Sequence, residues 1–208
     1  MKVPEPSSET NNVWPPAPTR QAICQGKGGG GKPKLSVLIG VVATGVALSI
    51  TLGALTNAIN SAVSPTYFYL VFNQQVDANE IWKASILEGI KEGGCLGLFV
   101  SGVLTAGASA ICRSQSSYTL LARYLLGISI GALLAWILGG LMASIFAALR
   151  PVLYAGTFGT PGTFNALVRY AWVGGSIWGV EGGSVVATVI ALAKLHTRRR
   201  SLVDRKYA

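Results

Sequence analysis

The chain has 208 residues, 50% of them hydrophobic and only 12% charged, with a mean hydropathy of +0.49. Soluble domains carry about 25% charged residues, and a water-soluble fold can hardly bury four apolar runs of twenty or more residues. The formal net charge of +9 argues for nucleic acid only until its placement is read, because the cations sit at the ends of the apolar runs.

Residues 1–34 hold Pro15, Pro16 and Pro18, four consecutive glycines at 28–31 and few apolar side chains. Such a segment cannot bury enough surface to offset its ordering entropy, so it is expected to be a disordered tail. The Pro15-x-x-Pro18 spacing beside Trp14 and Arg20 has the form of a polyproline ligand, but composition alone produces it. Gly26 to Lys32 superficially follows G-x-x-x-x-G-K. A phosphate-binding loop needs a Ser or Thr next, and Pro33 follows instead. The tail is also too polar, and the run after it too long, for a secretory signal.

The four apolar runs cover about 35–63, 85–112, 124–149 and 171–195. Each reaches the roughly 20 residues that span a bilayer core as a helix. Each also carries small residues at every fourth position. The first run has Gly45, Ser49, Gly53, Asn57 and Ser61, and the second Ser85, Gly89, Gly93, Gly97, Ser101, Thr105 and Ser109. The third has Gly127, Gly131, Ala135, Gly139, Ala143 and Ala147, and the fourth Gly175, Gly179, Gly183, Ala187 and Ala191. In lipid, apolar contact between helices gains little, and small residues let backbones approach. The pattern predicts an all-α integral membrane four-helix bundle packed through these stripes. Ridges at i±4 favour close, right-handed crossings. So many small faces also predict self-association.

Most of the cations lie before the first run, between the second and third (Arg113, Arg123), and after the fourth (Lys194, Arg198, Arg199, Arg200, Arg205, Lys206), and the other two connections hold only Lys83, Lys91, Arg150 and Arg169. Under the positive-inside rule both termini and the middle loop are cytoplasmic, and the cell membrane is the expected location. Arg198, Arg199 and Arg200 are read as a topology anchor or a contact for anionic lipid. His196, beside them, reads as an interface residue.

The two halves look related. At an offset of 87, Gly40 matches Gly127, Gly53 matches Gly140 and Tyr67 matches Tyr154. Glu92-Gly93-Gly94 then matches Glu181-Gly182-Gly183 two residues later. Each half becomes a hairpin of span, aromatic loop and span, and the halves form a parallel repeat. The loops carry Tyr67, Phe68, Tyr69 and Phe72, and Tyr154, Phe158 and Phe164, which suits the membrane interface. Asp77 or Asn79 is a candidate cap for a helix over residues 77–90.

A Ser-Pro-x-Tyr-Phe box follows the first span at Ser64, Pro65, Tyr67 and Phe68, with Glu88-Gly89 in the next span. This hairpin resembles uncharacterised bacterial multi-span membrane proteins. The resemblance implies a bacterial membrane protein and brings no activity, substrate or site.

Glu181 sits near the middle of the fourth span, where a charge costs roughly 2.5–3.5 kcal/mol on insertion scales. At 100° per residue it lies about 160° from Gly179 and Gly183, with Ser184 and Thr188 on its own side. Glu88, Lys91 and Glu92 share a face at the start of the second span, and one lysine cannot compensate two acids. Two readings follow. In one the carboxylates staple helices in a non-enzymatic assembly protein. In the other Glu181, Glu92 and Glu88, with Lys91, Ser184 and Thr188, line an ion or proton pathway. Asn57 and Asn60 are packing or vestibule residues. The three cysteines and single histidine give no metal-ligand spacing, nucleophile motif or cofactor fingerprint, so neither an enzyme nor a cofactor is expected.

Overall fold

In a computed structural model, residues 35–72, 77, 80–112, 117–158 and 163–207 are described. The readings made for the first 34 residues, Asn79 and Arg113 lie outside them. The described residues form six helices: α1 (Leu35–Val63), α2 (Pro65–Val71), α3 (Ile81–Cys112), α4 (Tyr118–Leu149), α5 (Pro151–Phe158) and α6 (Phe164–Tyr207). Helices α1, α3, α4 and α6 are each long and apolar enough to cross a membrane. The chain is an all-α, multi-pass membrane protein. Exposed Leu126, Ile130, Leu134, Leu141 and Ile145 line the outer side of α4, as lipid as solvent requires.

The ends of the spans differ from the sequence reading in instructive ways. Helix α1 ends where its apolar run ends, because Pro65 lacks the N–H to continue it and opens α2 instead. Helix α3 begins at Ile81, after Glu80 N–H donates to the Asp77 carbonyl at 2.9 Å. Helix α4 starts at Tyr118, where the Ser117 hydroxyl accepts from Leu120 N–H at 3.3 Å. Helix α6 does not stop at Leu195 but runs on through the basic segment to Tyr207. Arginine and lysine are good helix formers, and nothing there breaks the ladder.

The tightest packing is α1 on α3 and α4 on α6, so the bundle is two hairpins. Their seams are backbone against backbone. A Cβ on Gly53 would fall on the Gly89 carbonyl oxygen, one on Gly93 on the Ser49 carbonyl oxygen, and one on Gly97 lies 2.7 Å from the Ser49 Cβ. In the second hairpin, Gly139 meets the Gly175 carbonyl, Gly179 the Ala135 carbonyl and Gly183 the Ala135 Cβ. Each contact of the second set stands 86 residues after its counterpart, as Gly53 to Gly139 and Gly89 to Gly175 show.

That register replaces the offset of 87 read from identities. A shift of one residue turns a helix position by 100°. Gly140, one residue past the seam, accordingly faces the Trp172 ring rather than α6 backbone. The same register sets Pro65 against Pro151 and buried Phe68 against buried Tyr154. It also separates the glutamates, placing Glu92 opposite Trp178 and Glu181 opposite Cys95. Gly127 departs from its stripe, since nothing lies within 4 Å of a Cβ built there.

Contact between the hairpins is sparser and runs along α3–α6 and α1–α4. At the end bearing the termini all four helices meet in a layer of Val41, Val100, Leu104, Leu121, Leu125 and Leu195. At the other end Phe68 packs with Ile81 and Val173, beside Tyr67 and Trp172. Thr44 of α1 and Tyr118 of α4 share a hydrogen bond of 2.9 Å between their hydroxyls.

Candidate functional site

Between those two layers the hairpins stand apart and enclose a cavity of about 690 Å³. The glycine seams create it indirectly. By drawing α1 onto α3 and α4 onto α6, they make two thick slabs whose facing surfaces touch mainly near their ends. The floor comes from α1 and α4, with Thr56, Asn57, Asn60, Ile128, Ala132 and Trp136. These floor residues are buried or half-buried. The lining residues that are exposed belong to α3 (Lys91, Glu92, Cys95, Phe99) and α6 (Trp178, Glu181, Gly182, Val185). The cavity therefore opens sideways, between α3 and α6.

The structure brings Glu88, Lys91, Glu92, Glu181 and Ser184 to this one cavity. Lys91 pairs with Glu88 at 3.0 Å, an i,i+3 pair on one helix. That leaves Glu92 without an ion-pair partner among the described residues. Glu181 has no ion-pair partner among the described residues either. Arg169 pairs with neither among the described residues. Ser184 and Thr188 are buried, and each hydroxyl donates to the carbonyl four residues earlier on α6, at 2.7 Å. Their hydrogen-bonding need is met within the helix, and Thr188 is not part of the cavity wall.

Two wall residues are more telling than the sequence suggested. Asn60 is fully buried, and its Nδ2 has no hydrogen-bond partner among the described residues. Trp136 lines the same wall, its ring edge-on to Trp172 with centroids 5.9 Å apart, and its Nε1 likewise has no partner among the described residues. Unpaired polar atoms in a dry interior cost about 1–3 kcal/mol each. No one-dimensional signal marks Trp136, because its role depends on how far α4 stands from α3.

Over the end of the cavity sits Tyr67 of α2. Its ring lies 5.0 Å from that of Tyr170 and 5.4 Å from Phe68. Burial, then the neighbouring Tyr170, Glu92, Tyr154 and Glu181, push its phenol up to about 12. Tyr154 of α5 is raised too, first by burial and then by Tyr170. The two carboxylates thus act electrostatically on the cap above them.

Among the described residues no group of three or more His, Cys, Asp or Glu side chains is placed to hold a metal ion. Comparison with protein-family models, curated proteins and solved structures found no match.

Proposed function

We propose that the protein is a small non-enzymatic carrier or channel for a cation or proton, with Glu181 and Glu92 as the acceptors. The observation that carries this reading is one cavity of about 690 Å³ within the bundle bearing two carboxylates that lack ion-pair partners among the described residues. Intramembrane acids are costly, and pathways are where that cost is ordinarily met. An assembly role through the small-residue stripes has less support, because the seams at Gly53, Gly89, Gly139 and Gly179 are closed within the hairpins. Self-association would use other surfaces.

The basic residues favour a cell-membrane location with both termini cytoplasmic. The uniform 86-residue register of seam contacts favours two hairpins descended from one. In that history the acids arose separately, since they occupy different positions in the two copies.

The test is reconstitution. Vesicles carrying the protein are given a membrane potential, and uptake of H⁺, Na⁺, K⁺ and methylammonium is followed. At least one should enter faster than into empty vesicles, and Glu181→Gln should lower that rate about tenfold or more. No uptake of any of the four overturns the reading.

A further inference from the structure

The cavity has one side open, and that side faces the bilayer. Cys95 and Phe99 on α3 and Trp178 and Val185 on α6 are exposed at its mouth. Trp178 is 72% exposed, more than most apolar side chains of the bundle. The leucine layer lies beyond one end of the cavity and the Phe68 layer beyond the other. A solute in the membrane reaches the carboxylates without crossing either.

The wall says what such a solute carries. Most of its residues are apolar, and its charge is concentrated at the lips. Deep in the wall, Asn60 supplies a further polar group. The Ser176 hydroxyl is within reach of both the Val173 carbonyl, at 2.9 Å, and Asn60 Oδ1, at 3.1 Å. It has one proton and cannot donate to both. Turning the Asn60 amide over lets Nδ2 donate to Ser176 Oγ while the hydroxyl donates to Val173. The unpartnered atom is then Oδ1, an acceptor. Glu92 and Glu181 thus present acceptors to one apolar cavity, with the Trp178 ring at its mouth available to a cation, and the buried Asn60 acceptor lies behind them.

We propose that the cavity binds a primary ammonium on an apolar body, taken in sideways from the bilayer between α3 and α6. The ammonium sits on Glu92 and Glu181, and the body lies against Trp136, Leu133 and Ile128. This rests on reading the cavity as a cation site and adds the class of cation and its route.

The test uses full-length protein in lipid nanodiscs, titrated with decylammonium, decanol or tetramethylammonium while tryptophan fluorescence is followed against empty nanodiscs. Decylammonium should saturate at a concentration at least tenfold below either control. The double substitution Glu92→Gln and Glu181→Gln should weaken it at least tenfold, whereas Glu181→Asp should retain binding. Equal binding of decanol, or an unaltered affinity in the double variant, overturns the proposal.

A second measurement is independent of how the double variant folds. With Cys24→Ser and Cys112→Ser in place, decylammonium should slow maleimide labelling of Cys95 about fivefold and tetramethylammonium should not. An unchanged rate overturns the proposal. Saturable decylammonium binding without flux in vesicles keeps this inference and removes the carrier reading. Inorganic cation flux without decylammonium binding does the reverse.

Discussion

Asn60 of α1 and Ser176 of α6 meet at 3.1 Å across the boundary between the hairpins, both fully buried and 116 residues apart in sequence. Ser176→Ala leaves the whole Asn60 amide unpaired in a dry interior. The expected loss is about 1–3 kcal/mol, read as a shift of the denaturation midpoint in mixed detergent. Adding Asn60→Leu should recover part of it, since the orphaned amide is then gone. Simple additivity of the two would count against the pairing.

The seams make a sharp contrast between glycines. Gly53→Ala and Gly139→Ala each push a methyl group into facing backbone, where no side chain can move aside. Overpacking of this kind costs about 1–3 kcal/mol or more. Gly127→Ala enters open space and should stay within about 0.5 kcal/mol, helped by the better helix propensity of alanine. Comparing the three midpoints in one detergent checks this; similar losses at all three would remove the account of the seam.

Tyr67 gives a pH prediction with a definite sign. Its folded pKa is pushed up to about 12 from an ordinary 10.0, so the folded state holds the phenolic proton more tightly than the unfolded chain. The associated stability is fully present below pH 10 and is lost as pH rises toward 12. Tyr67→Phe should flatten the fall in stability over that window. A difference in tyrosinate absorbance between the two proteins should appear only near the upper end of it.

The long last helix carries a prediction about lipid. Lys194, Thr197, Arg198 and Ser201 line one shallow groove on α6, next to Ile190 and Ala193. Basic residues near an anionic surface contribute about 1 kcal/mol each. Purified Lys194→Ala/Arg198→Ala protein should retain less phosphatidylglycerol than wild type, measured by lipid extraction. Lys83→Ala, at the other end and already paired with Glu80 at 3.1 Å, should change little.

The architecture was legible in the sequence because lipid imposes two strong, local signals: apolar length and small residues at fourfold spacing. The first apolar run and α1 share both bounds, Leu35–Val63, for that reason, and Pro65 opens the next helix. The repeat register was not legible in the same way. Gly40 with Gly127 and Gly53 with Gly140 are identities that a glycine-rich chain supplies by chance, and although the stripe includes Gly139, only the facing backbone shows that it, not Gly140, is the counterpart of Gly53. Helices α2 and α5 were hidden because seven or eight aromatic-rich residues give too short a pattern to show a period. The site was half visible. Glu181, Glu92 and Glu88 stand out as acids in apolar runs, whereas the places of Trp136 and Asn60 in the wall follow from how the hairpins stand, which no single run encodes. Ser184 lines the cavity and Thr188 does not, a difference that helical spacing alone does not encode.

Two stiff hairpins joined along a sparse boundary have a natural hinge. Because Gly53 and Gly139 lock each pair of helices internally, the least costly large motion is a rocking of one slab against the other. Under the proposed carrier reading, the leucine layer near the termini, with Leu104, Leu121 and Leu195, is what such a swing would have to part.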